Sequence, residues 1–199
     1  MFIDPILCVP KFFDKHELEH PLFQKEGPYV LEICSGNGEW ICRRAAKDPK
    51  NQYIAVEMQL KRVRKIWSKR TNQSLDNLQI VYGQAQDFCQ FYVPKNTFSE
   101  IYINFPDPWP KKRHAKHRLV QPEFIQILHT LLAPGGTLTI VTDDIPYGLQ
   151  IQDTLTSALW CPLCGLYNSL EEYGESYFGR LWESLHRTVQ FYTYEKVSL

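Results

Sequence analysis

From Tyr29 onward, short apolar runs alternate with stretches of helical periodicity, and this alternation restricts the fold more than any other feature. Residues 29–33, 53–56, 79–82, 101–105 and 137–141 read as strands, each followed by sequence with apolar residues at helical spacing. A last alternating run covers residues 188–194. Strands that alternate with helices specify an α/β fold with a parallel sheet covered on both faces. Such sheets bind ligands at the carboxyl ends of their strands, near the switch in strand order. The residues to inspect are therefore 34–38, Glu57, 83–86, 106–109 and 142–144. A chain of 199 residues suits one domain. The expected division is an irregular arm over 1–28, ending at Gly27-Pro28, and a single domain over 29–199.

The first of those strand ends reads Glu32-Ile33-Cys34-Ser35-Gly36-Asn37-Gly38. Glycines between a strand and a helix let the backbone approach a ligand closely. Glu57 ends the next strand, at the spacing where nucleotide-binding α/β units place a carboxylate on ribose hydroxyls. A plain tight turn with a surface glutamate is the structural alternative. A dinucleotide needs a full G-x-G-x-x-G to seat its pyrophosphate, and only Gly36 and Gly38 are present. Glu32 beside the turn repels phosphates but favours a cationic sulfonium or amino-acid end. Those features favour S-adenosylmethionine over a dinucleotide.

The most distinctive segment is Asn104-Phe-Pro-Asp-Pro-Trp-Pro-Lys-Lys-Arg-His-Ala-Lys-His-Arg118. Pro106, Pro108 and Pro110 stiffen the backbone and hold Asp107 and Trp109 in place. The cations that follow, with His114 and His117, form a phosphate-binding composition. The chain as a whole is neutral, with 22 Lys+Arg and 22 Asp+Glu, so a nucleic acid has to be held by a local patch. A solvated basic loop accounts for the charges alone, but not for the rigid acid and tryptophan next to them.

This segment resembles the signature of the bacterial tRNA (guanine-N7)-methyltransferase family, and the resemblance extends over about residues 29–196. It implies a class I methyltransferase, Rossmann-like, with a mostly parallel seven-stranded sheet and helices on both faces. It also implies S-adenosyl-L-methionine as donor and the variable-loop guanine of tRNA (standard position 46) as acceptor. Carried over by position, Asp107 is the catalytic residue. The cofactor-binding set is Glu32, Gly36, Gly38, Glu57, Gln84 and Asp107. The substrate-binding set is Lys111, Asp143, Ser176, Tyr177, Phe178 and Gly179. Arg113, His114, Lys116, His117 and Arg118 are the tRNA contacts. The sequence departs from the family pattern at three places: Cys34 replaces a glycine, Gln84 an Asp or Asn, and Gly179 a glutamate. Capping of the following helix is the alternative role for Asp143 or Asp144. Two rivals stay open at this point. An exocyclic-amine methyltransferase also carries a proline-rich loop after its fourth strand, and a non-enzymatic RNA-binding relative would lack cofactor affinity.

The remaining features restrict the class. No apolar stretch approaches membrane-spanning length, and the N-terminus lacks a signal-like pattern. The chain reads as cytoplasmic, with no membrane partner, and as a monomer or homodimer. Its six cysteines read as reduced thiols. Cys161-Pro-Leu-Cys164 is the only CxxC, and without a second ligand pair no metal is expected.

Overall fold

The alternation of side chains along the first long strand sorts the core into two layers. A computed structural model describes residues 2–3, 5–10, 21–174 and 176–197; the rest of the expected 1–28 arm lies outside the described residues. Strand β3 (Tyr29–Ile33) sends Leu31 and Ile33 to one face of the sheet and Val30 to the other. Around it lie β4 (Gln52–Glu57), β5 (Leu78–Tyr82), β6 (Phe98–Asn104) and β7 (Leu132–Thr142). All four neighbour pairings among these five strands are parallel. Val, Ile, Tyr and Phe dominate these runs, as strands buried on both faces require.

Helices α1 (Glu39–Lys47) and α2 (Leu60–Asn72) pack on the Val30 face through Trp40, Ile41, Val63 and Ile66. Helices α3 (Ala85–Phe91), α4 (Pro122–Leu131) and α5 (Ile145–Thr154) pack on the Leu31 face through Phe88, Phe124, Leu128, Tyr147 and Ile151. Asp144 caps α5, accepting the Tyr147 N–H at 2.8 Å, so the capping role falls to Asp144 rather than Asp143. After α5 come β8 (Trp160–Pro162), the short helices α6 (Leu170–Tyr173) and α7 (Tyr177–Ser184), and β9 (Gln190–Lys196). Strand β9 runs antiparallel to β7, and β8 antiparallel to β9.

The expected α/β class holds, and the sheet carries two strands beyond the expected seven. They come from the segment read as an irregular arm: β1 (Phe2–Ile3) and β2 (Ile6–Cys8). Strand β2 pairs in parallel with β5, giving a nine-stranded sheet in the order β1-β2-β5-β4-β3-β6-β7-β9-β8. Two or three residues are too short for periodicity to register, and pairing with a distant strand edge creates them. Sequential order departs in both directions from β3, to β4 on one side and β6 on the other. The crevice at the carboxyl ends of β3 and β6 is therefore the switch point of the sheet. Among the described residues no helix is long and apolar enough to cross a membrane.

Candidate active site

The switch-point crevice is built on the turn between β3 and α1. Gly36 and Gly38 have φ of 55° and 72°, in the left-handed region, and Cys34 joins them at 63°. A Cβ on Gly38 would stand 2.8 Å from Ile66 Cγ1, so glycine there allows α1 and α2 to pack together. At position 34, where the family pattern has glycine, the cysteine adopts the conformation glycine favours, at a cost of roughly 1–2 kcal/mol. Burial and the carboxylates of Glu57 and Glu32 push its thiol up to about 12, which keeps it protonated near neutrality.

Glu57 braces this turn. One oxygen accepts the Gly36 N–H at 2.9 Å, and the other accepts the Gln59 N–H at 2.8 Å. Arg62 lies 3.7 Å away. The expected ribose carboxylate thus first shapes the loop that would hold the ribose. Glu57→Ala is expected to weaken binding of S-adenosylmethionine about tenfold and to lower stability by roughly 1–3 kcal/mol, since one buried and one part-buried N–H lose a charged acceptor. Calorimetry and thermal melting measure both; an unchanged dissociation constant would remove Glu57 from the site.

Glu32 is only 1% exposed and points to the same face as α1. Its Oε1 accepts the Asn104 amide at 2.7 Å, and Tyr173 donates its hydroxyl to the Asn104 carbonyl. Its Oε2 has no hydrogen-bond partner among the described residues. Burial, with a smaller push from the Glu57 charge, raises the Glu32 carboxyl to about 8, against the lowering effects of the Asn104 and Ser35 side chains. The chain Tyr173–Asn104–Glu32 was missed at the sequence level. Asn104 opens the distinctive motif and ends a strand, which was the available signal, whereas nothing local marks Tyr173.

Glu32, Gly36, Trp40, Asn104, Phe105 and the segment Ser176 to Phe178 line one cleft. Part of the expected cofactor set, Glu32 and Gly36, thus meets part of the expected substrate set, Ser176 to Phe178; Gly38, Glu57, Asp107, Lys111 and Gly179 are not in this lining. Ser176 caps α7, accepting the Gly179 N–H at 2.9 Å. Phe178 lies over Gly36, beside Phe105 at 6.2 Å between ring centres, with the Arg62 guanidinium 5.6 Å from its own. Arg180 and Glu39 tie α7 to α1 at 2.5 Å. Gly179 has a packing reason: a Cβ there would meet Leu170 at 3.0 Å and Ser176 Oγ at 3.1 Å.

The loop after β6 carries Asp107 into solvent, close enough to Cys34 for its charge to act on the thiol. Phe105 and Trp109 both take positive φ, 47° and 43°, on either side of it. Trp109 packs edge-on against His114 at 5.7 Å and lies 5.4 Å from His117. Lys111, Arg113, Lys116 and His117 are exposed. Arg118 is not: its guanidinium donates to the Pro108 carbonyl at 2.8 Å and to Gln150 at 2.6 Å, and covers the Tyr147 ring. It braces the Asp107 loop from within the protein. Asp143 pairs with Arg187 at 2.6 Å, away from the cleft lining. Gln84 is exposed at the start of α3 and does not line the cleft either. Among the described residues, no group of three or more His, Cys, Asp or Glu is placed to hold a metal.

A family model described as "Putative methyltransferase" matches residues 26–183. The tRNA (guanine-N(7)-)-methyltransferase of Chlamydia abortus is 42% identical over 197 residues, covering 96% of this chain and 88% of that protein. The chain belongs to the tRNA (guanine-N7)-methyltransferase family. A more distant member from Geobacter metallireducens shares 36% identity over 149 residues, 72% of this chain and 71% of that one. Among solved structures, the 16S rRNA methyltransferase KamB superposes with a TM-score of 0.67 at 17% identity, covering 89% of this chain and 91% of the other. A variant of the 16S rRNA (adenine(1408)-N(1))-methyltransferase from Catenulisporales acidiphilia, solved with cosubstrate SAM, gives 0.61 at 17% identity and covers 89% of both chains. These two likenesses show the methyltransferase fold of this family member.

Proposed function

We propose that this family member transfers a methyl group from S-adenosyl-L-methionine to N7 of the variable-loop guanine of tRNA, standard position 46. The observation that carries the reading is the buried Glu32 carboxyl, a residue of the cleft at the sheet's switch point that has one oxygen without a hydrogen-bond partner among the described residues. A buried acid with an unused oxygen fits a ligand with a cationic amino-acid end. The Gly36–Gly38 turn braced by Glu57 suits the close approach of a nucleoside. When bound, the cofactor supplies an electrophilic methyl group. Glu32 and Asn104 would hold and orient it, Glu57 would act through the turn it braces, and Phe105 and Phe178 would cover the cleft they line.

Guanine N7 attacks with an in-plane lone pair of the neutral base, so no general base has to remove a proton first. The N7–methyl bond would form as the donor's sulfur–methyl bond breaks, so a neutral thioether leaves and the positive charge passes to the base. Asp107, held outward by the prolines and by Arg118, supplies the opposing charge. The exposed Lys111, Arg113 and Lys116 meet the RNA backbone.

Incubation with unmodified tRNA and labelled donor, followed by nucleoside analysis, tests the assignment. The expected product is cationic 7-methylguanosine, and mild reduction with aniline should then cut the tRNA at a single variable-loop position. Recovery of only N2-methylguanosine or methyladenosine, without that cleavage, would overturn it.

A further inference from the structure

Lys61, Arg64 and Lys65 of α2 play no part in the site described above. Between Glu57 and Asp76 the chain has no acidic residue, yet Lys61, Arg62, Arg64, Lys65, Lys69 and Arg70 fall within this one helix. In a neutral chain with 22 basic residues, that concentration is local and one-signed. Three of the six are engaged within the protein. Arg62 faces Glu57 at 3.7 Å, Lys69 donates to the Asn37 carbonyl at 2.8 Å, and Arg70 donates to the Leu78 carbonyl at 2.7 Å. Lys61, Arg64 and Lys65 are exposed, and no ion pair joins them to another described residue.

Their spacing places them together. Lys61, Arg64, Lys65 and Ser68 follow i, i+3, i+4, i+7 and form one stripe, opposite the Val63 and Ile66 side that packs on the sheet. Trp67, 44% exposed, flanks the stripe. Helix stability does not account for the arrangement. A helix start carries partial positive charge and favours acids, yet the first turn of α2 has none and Lys61 stands within it. Cations around an exposed aromatic are the composition of surfaces that follow a nucleic-acid backbone.

The location agrees. Strands β4 and β6 flank β3, so α2, which follows β4, and the Lys111–Arg118 loop, which follows β6, lie on opposite sides of the turn after β3. We propose that the solvent face of α2, through Lys61, Arg64 and Lys65, is a second docking surface for the tRNA phosphate backbone. RNA whose guanine enters the cleft is then held from both sides. This rests on tRNA being the substrate.

The test is tRNA binding across a salt series with the full chain. The triple variant Lys61→Gln, Arg64→Gln, Lys65→Gln should bind more weakly, with a slope of log affinity against log salt shallower by roughly two to three. The charge-conserving triple Lys61→Arg, Arg64→Lys, Lys65→Arg should keep the wild-type slope, which separates charge from any effect on folding. If wild-type protein binds and methylates tRNA and the glutamine triple keeps its slope and affinity, the α2 surface is overturned and the function stands. A glutamine triple that keeps its tRNA slope but loses binding to phosphatidylserine vesicles makes this face a membrane surface and also overturns it. Wild-type protein that neither binds nor methylates tRNA would overturn the functional reading itself.

Discussion

Replacing Glu32 with glutamine is expected to lower the affinity for S-adenosylmethionine about a hundredfold and to abolish its dependence on pH. In the free protein, burial keeps the Glu32 carboxyl protonated up to about pH 8. A cationic ligand needs the ionised form, so binding expels the proton. Affinity should therefore rise by up to about tenfold per pH unit between roughly pH 5.5 and 7.5. Calorimetry at pH 6.5 in two buffers of different ionisation enthalpy should show close to one proton released. Stability follows the same linkage with the opposite consequence. Between the ordinary 4.5 and about 8, the native state binds this proton more tightly than the unfolded chain does. The contribution of Glu32 to stability thus falls as pH rises through that window, and Glu32→Gln should remove the decline. Cofactor affinity that is flat with pH in the wild type, with no proton released, would detach Glu32 from the ligand.

Asp107→Asn should reduce turnover at saturating tRNA and cofactor by about a hundredfold or more, while the cofactor dissociation constant changes little. The substitution preserves shape and removes a charge that acts chiefly on the cationic transition state. The side chain is exposed, and the long bond it accepts from the Trp109 N–H, at 3.4 Å, can be kept by the asparagine oxygen. The backbone around it is another matter: two positive-φ residues, Phe105 and Trp109, and the Arg118 bond to Pro108 hold the loop in one shape. Single-turnover rates and cofactor titration of the same variant separate the two quantities. Equal losses in both would make Asp107 a cofactor ligand only.

The sheet core was legible because each strand from β3 to β7 is a separate apolar run with a helix behind it. The strand-end rule then selected Cys34–Gly38, Glu57 and the Asp107 loop without a structure. Strands β1 and β2 were not legible, since two or three residues carry no period. The expectation that Arg118 contacts RNA came from the family resemblance of its basic run. Sequence could not show that its guanidinium turns inward to Pro108 and Gln150.

Sequence by itself determined the α/β class, the glycine turn with its two acids, and a motif specific enough to identify the family. These are local properties: periodicity, backbone freedom and the order of residues along one loop. Only the tertiary structure decided which of those residues share a cleft. Tyr173 reaches Asn104 across 69 positions of sequence, Asn104 reaches Glu32 across 72, and α7 lays Phe178 over Gly36. The raised Glu32 carboxyl likewise depends on burial beneath elements far along the chain. Desolvation is a property of everything packed around a group, so no local pattern encodes it.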